Sequence, residues 1–247
     1  MWFLDRTARQ LRANPALLTY RPPEPARLES LLRQYDPGLS VSGDWFVARG
    51  AKIRWVEVTE ELAGKARIPA DRRGAIIASH DNKHVAGFVL NGLASRLGGA
   101  LHPPDVHDPY VDVQVSLPGV PAPDCEEVAA LVRSILGERV IEHDHEIGFC
   151  SITGAPDDPV KVSYDWPADD DVKGSYDPRT PGGSVLDPDY AIDLEIDLAE
   201  DPDHPGLELL YRTAVSLATA FNGVVVSKDM PVTRIEDITP TRDRLPA

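Results

Sequence analysis

The chain is short of cysteine and of positive charge, and it has no long apolar run. Only two cysteines, Cys125 and Cys150, stand among 247 residues. So few, so far apart, make no disulfide framework, and a reducing compartment is the expected setting. No window approaches the roughly 18 consecutive apolar residues of a membrane span, so no membrane partner is expected. The segment Met1–Gln10 has no apolar stretch of signal-peptide length, which gives a cytoplasmic expectation. A Gly-x-Ser-x-Gly turn, a phosphate loop and a dinucleotide fingerprint are all missing. Neither a cofactor nor an enzymatic activity is therefore expected.

Lys and Arg number 25 against 40 Asp and Glu, a net charge of −15. This disfavours direct contact with nucleic acid, whose phosphates call for clustered cations. The acid is also unevenly spread. Residues 1–118 hold 15 basic and 13 acidic side chains, whereas residues 119–247 hold 10 and 27. Lys65, Arg67, Arg72 and Arg73 fall in one predicted loop of the near-neutral first half.

What is present is a pattern that occurs twice. Leu28, Leu31, Leu32 and Tyr35 lie on one face of a predicted helix that stops at Gly38. Val128, Leu131, Val132 and Ile135 do the same 100 residues later, before Gly137. Ala86, Leu90, Leu93 and Leu97 mark a second helix, followed by Gly99 and a short strand. Leu210, Ala214, Leu217 and Phe221 repeat it 124 residues on, followed by Gly223. The later copy has gained 24 residues, which fit the Pro-, Gly- and Asp-rich stretch 166–189, an inserted loop.

Strand-like sequence fills the remainder. A strand precedes each first helix, at 16–21 and 110–117. Three more are expected between the helices, at 39–48, 51–59 and 74–79, and again at 138–152, 160–166 and 190–198. The reading is an α+β chain of two tandem β-α-β-β-β-α-β repeats, with mainly antiparallel sheets and helices packed on one face. The first repeat spans 1–109 with a short N-terminal helix. The second, acidic repeat spans 110–247 and ends in an extended tail.

Alternation predicts which side chains face out. Val111, Val113, Val115 and Leu117 share one side of their strand, as do Ile192, Leu194, Ile196 and Leu198. The other side then displays Asp112, Asp193, Glu195 and Asp197, with Glu142, Asp144 and Glu146 from the strand at 138–152. Asp169, Asp170 and Asp171 of the inserted loop add to this acidic set. Like charges on neighbouring strands cost up to about 1 kcal/mol per opposed pair. Solubility is served as well by mixed charge. The set therefore reads as a partner-binding surface for a basic protein.

Other constellations are weaker. His143 and His145 form a His-x-His pair, but they fall on the predicted core side with no third ligand placed beside them, and Cys150 falls on the opposite parity. No metal is expected there. Asp81 or Asn82 is a natural helix cap, which accounts for the polar cluster from His80 to His84. Asp169-x-Asp171-x-Lys173-Gly174 starts like a calcium loop. It fails at Lys173 and again at Thr180, where a bidentate glutamate belongs. Cys125 sits at a helix start, where the dipole lowers a thiol pKa, but no base accompanies it.

The profile is that of an acidic, non-catalytic cytoplasmic protein, as in bacterial immunity proteins and antitoxins, which mask basic sites on toxins. The order of elements also loosely resembles the small acidic chaperones of protein secretion systems. A metal-dependent enzyme with a site between the repeats is a third possibility.

Overall fold

A computed structural model describes residues 2–103, 110–117, 123–137, 140–146, 149–154, 160–165, 191–197 and 206–238. The chain divides into two compact units, the first running to Asp108 and the second covering Pro109–Pro240. Both combine helices with antiparallel sheet.

The first unit contains α1 (Trp2–Ala13), β1 (Ala16–Thr19), α2 (Pro25–Tyr35), β2 (Ser40–Ser42), β3 (Trp45–Ala48), β4 (Ala51–Glu57), α3 (Glu60–Ala66), β5 (Gly74–Ser79), α4 (Lys83–Leu97) and β6 (Ala100–His102). The second contains β7 (Tyr110–Ser116), α5 (Cys125–Leu136), β8 (Val140–Glu146), β9 (Phe149–Gly154), β10 (Lys161–Asp165), β11 (Ala191–Asp197), α6 (Gly206–Ala220), β12 (Val224–Ser227) and β13 (Met230–Pro231).

The sheets follow one connectivity. The first runs β2-β3-β4-β5-β1-β6 and the second β8-β9-β10-β11-β7-β12, with β13 added at the end. All pairings are antiparallel. Leu18 pairs with Ala75 and with Ala100, the first residue of β6. Ser116 pairs with Ala191 and with Val224, the first residue of β12. Counting from that shared point puts Leu17 level with Val115, Ile76 with Ile192, Ile53 with Val162 and Ile77 with Asp193.

A glycine stands at the same place in both. A Cβ on Gly99 would overlap the Leu18 carbonyl oxygen, and its φ of +110° already disfavours a side chain. A Cβ on Gly223 would lie 2.7 Å from the Ser116 carbonyl oxygen. Each glycine lets the strand that follows it, β6 or β12, approach the first strand of its unit.

Several expectations need correction. Four strands, not three, lie between the main helices of each unit. The segment 39–48 is a hairpin, because Gly43 at φ +60° and Asp44 turn the chain between β2 and β3. The segment 138–152 likewise divides into the antiparallel pair β8 and β9. The predicted basic loop contains α3, capped by Thr59, whose hydroxyl accepts from the Leu62 N–H at 3.2 Å. Lys65 pairs with Glu61 in that helix at 3.0 Å, and Arg72 is buried with its guanidinium 3.9 Å from the Tyr20 ring centre. After Met230 the chain is not simply extended. It forms β13 and a 3-10 helix at Ile235–Asp237, and Asp237 accepts from the Thr233 N–H and hydroxyl at 3.0 Å each.

Helices on one face describe only the second unit. There α5 packs on β8 and β9, and α6 on β7, β11 and β12. Their apolar faces meet Val113, Val115, Ile152, Val162, Tyr164, Ile192, Leu194 and Ile196 in one core. In the first unit α4 packs on β1, β5 and β6. The other face is also covered: Ala8 and Leu11 of α1 join Leu62, Ala63 and Ala66 of α3 against Ala16, Leu18, Ala75 and Ile77. Both parities of β1 and β5 are apolar, and a sheet of that composition must be covered twice to be dry. Arg54 is set into this second layer. It donates to Thr7 and Gln10 of α1 and lies 4.9 Å from the Trp45 ring centre. Burial lowers its pKa from the ordinary arginine value, with Asp44 opposing and Arg6 adding to the shift.

The two cysteines are bonded. Cys125, the first residue of α5, forms a disulfide with Cys150 of β9, with Cα atoms 6.2 Å apart. The expectation of isolated thiols fails because parity does not carry across a hairpin. Cys150 pairs in register with His145, so it shares a ladder position with a residue that simple alternation puts on the opposite side. Closing a 25-residue loop removes about 3–4 kcal/mol of chain entropy from the unfolded state.

Candidate protein-binding face of the second sheet

Why one face of the second sheet is polar follows from its strands. In β10, Val162 and Tyr164 are buried while Lys161 is exposed and Ser163 half-buried. In β11, Ile192, Leu194 and Ile196 are buried, with Asp193 half-buried and Glu195 exposed. Residues of one parity feed the core under α5 and α6. The other parity forms a face that no helix covers among the described residues.

Register assembles that face in rows. Asp112 pairs with Glu195, Glu195 with Lys161, Lys161 with Thr153, and Thr153 with Glu142. The next row runs Gln114, Asp193, Ser163, Ser151 and Asp144. A third runs Ser116, Ala191, Asp165, Phe149 and Glu146. Asp197 pairs with Tyr110 beyond the first row. The seven strand acids named from sequence, Asp112, Glu142, Asp144, Glu146, Asp193, Glu195 and Asp197, thus occupy ladder positions of one parity set. Asp169, Asp170 and Asp171 lie outside the described residues.

Within the rows, Gln114 donates from Nε2 to Asp193 Oδ1 at 3.1 Å. This fixes Asp193 against its neighbour and leaves the exposed Glu195 at the surface. Asp112 and Glu195 are directly opposed in the ladder, and Lys161 stands on the other side of Glu195. Lys161 is the one cation among these ladder positions.

Sequence reading missed Asp165, which takes a ladder position beside Ala191 and Phe149, and it missed Lys161 and Ser163. The signal was available. Lys161, Ser163 and Asp165 alternate with Val162 and Tyr164, the same period-two pattern that identified the acids of β7 and β11.

The remaining candidates separate from this face. His143 and His145 pair in register with Ile152 and Cys150, two buried residues of the core. Cys150, a nominal third ligand, is held in the disulfide. Among the described residues no group of three His, Cys, Asp or Glu is placed to hold a metal ion. Asn82 caps α4, its Oδ1 accepting from the His84 N–H at 2.9 Å, and the Asn82 N–H donates to His80 Nδ1 at 2.9 Å. Among the described residues no helix is long and apolar enough to cross a membrane. Compared with protein-family models, curated proteins and solved structures, the chain matches none.

Proposed function

We propose that this chain is a non-catalytic protein-binding inhibitor, of the immunity-protein or antitoxin kind, and that the uncovered acidic face of the second sheet docks on a basic surface of its partner. The observation that carries the reading is the ladder composition of that face. Eight acids and one lysine stand at positions of one parity, and at two of them, Asp193 and Asp165, the matched residues of the first unit are the apolar Ile77 and Val56 packed with α1 and α3. An acidic surface of this kind speeds encounter with a cationic cleft and excludes an anionic substrate from it.

We also read the two units as a tandem duplication. Supporting this are the common strand order, the two glycines at the β1/β6 and β7/β12 approaches, and the apolar match on the helix side. In this reading the second copy keeps the scaffold and has exchanged its outer face.

A cytoplasmic location, expected from the sequence, is harder to reconcile with the Cys125–Cys150 bond, since cytosolic reductants keep thiols reduced.

The test uses the full chain as bait in a pull-down, and any basic protein it captures is purified as the partner. Binding is measured by titration calorimetry at two salt concentrations, with the native chain and with an Asp193→Asn, Glu195→Gln, Asp197→Asn variant. The expected result is affinity at least tenfold weaker, with a shallower salt dependence. Unchanged affinity in the variant would remove the acidic face from the mechanism.

A further inference from the structure

We propose that the Cys125–Cys150 disulfide is a redox lock confined to the second unit: oxidised, it ties α5 to the β8–β9 end of the sheet, and reduced, it lets that end of the unit open more readily. Three placements support this. Both cysteines are buried in the core of the second unit, at 1% and 0% exposure. The bond joins the start of α5 to β9, and α5 is the helix that packs on β8 and β9. A second tie runs in parallel, from the buried Tyr164 hydroxyl of β10 to the carbonyl oxygen of Pro123, two residues before Cys125. The covalent and the hydrogen-bonded tie fasten the same end of the same helix.

The first unit has no such bond, because the chain has no other cysteine. It has a second layer of helices instead, α1 and α3, over the face that no helix covers in the second unit among the described residues.

Reduction takes two electrons and two protons. A dithiol reductant attacks one sulfur, passes through a mixed disulfide, and leaves as its own cyclic disulfide, with two thiols at positions 125 and 150. Because both sulfurs are buried, the reductant reaches them only when the second unit opens locally. Reduction is therefore slow in the native protein and faster in mild urea. Once the bond is broken, the 25-residue loop regains its freedom in the unfolded state, and the second unit loses that stabilisation.

The experiment uses the full chain, oxidised with glutathione disulfide. Thiol titration in denaturant is expected to find none before and two after treatment with dithiothreitol. Melting followed by circular dichroism is expected to show one transition falling by about 10 °C or more on reduction. Hydrogen exchange read by mass spectrometry places the effect: peptides of α5, β8 and β9 gain exchange on reduction, and those of α1, β1 and β5 do not. A Cys125→Ala, Cys150→Ala variant is expected to behave as the reduced chain and to ignore dithiothreitol. The reduced native chain supplies the same comparison if the variant does not fold. Two titratable thiols in the oxidised chain would overturn the proposal. So would a melting shift under about 2 °C, or exchange that rises equally in both units. No readout involves a partner, so failure here leaves the acidic-face reading standing.

Discussion

Set side by side, the two sheets differ by parity. On the helix side the matched positions stay apolar: Leu17 and Val115, Ile76 and Ile192, Ile53 and Val162. On the other side Leu18 stands level with Ser116, Ile77 with Asp193, and Val56 with Asp165. Backbone hydrogen bonding is indifferent to which parity is polar, so a sheet keeps its ladder while one face changes from core to surface. What must change with it is the cover. Ala16, Leu18, Ala75 and Ile77 are dry because α1 and α3 lie over them. A face bearing Asp193 and Glu195 has no use for such helices.

The sharpest way to break this comparison is to exchange one matched pair. Ile77 is fully buried, and Ile77→Asp replaces an apolar side chain under α1 and α3 with a carboxylate beside its ladder neighbour Arg54, which already donates to Thr7 and Gln10. The expected loss is about 4 kcal/mol or more in urea denaturation of the first unit. The reciprocal Asp193→Ile is expected to stay within about 1 kcal/mol. Comparable losses from both changes would mean that the two faces are not differently covered.

A smaller effect tests the shared scaffold. Gly99→Ala and Gly223→Ala each push a methyl group into the carbonyl oxygen of the neighbouring first strand. Both are expected to cost about 2–3 kcal/mol, the former more because of its positive φ. A neutral Gly223→Ala would separate the two strand approaches. Tyr164→Phe removes the donor to the Pro123 carbonyl, and about 1–1.5 kcal/mol should be lost from the second unit alone. The least change is expected from Asp124→Ala. It deletes the α5 capping box, in which Asp124 Oδ1 accepts from the Glu126 N–H at 2.9 Å and Glu127 Oε2 from the Asp124 N–H at 3.1 Å. About 1 kcal/mol is expected, with the melting of the first unit unmoved.

Much of this was legible in sequence, and the failures have physical causes. The helical faces were readable because burial follows a 3.6-residue period; Leu28, Leu31, Leu32 and Tyr35 are all buried. The acids of β7 and β11 were readable because those strands alternate cleanly. The covering layer of the first unit was written in Ala16-Leu17-Leu18 and Ala75-Ile76-Ile77-Ala78, which are apolar on both parities, but a short apolar run does not name what covers it. Parity failed at β8 and β9, since pairing across a hairpin matches odd with even residues, as His145 and Cys150 show. The disulfide was hidden by that slip. The short helix α3 was passed over although Thr59, Glu60 and Glu61 form a sound start signal.

In each sheet the strand that is made first lies between the two that are made late. Leu17 needs both Ile76 and Leu101, and Val115 needs both Ile192 and Val225. During synthesis neither unit can complete its sheet from local contacts. β1 emerges and must wait for β5 and β6, and β7 must wait for β11 and β12. Such long-range closure slows folding and leaves apolar strands unpaired in the meantime. The arrangement also makes each unit intolerant of a missing end. A chain stopped before Gly223 would lack β12 and β13 and leave β7 as an edge strand with one side unpaired.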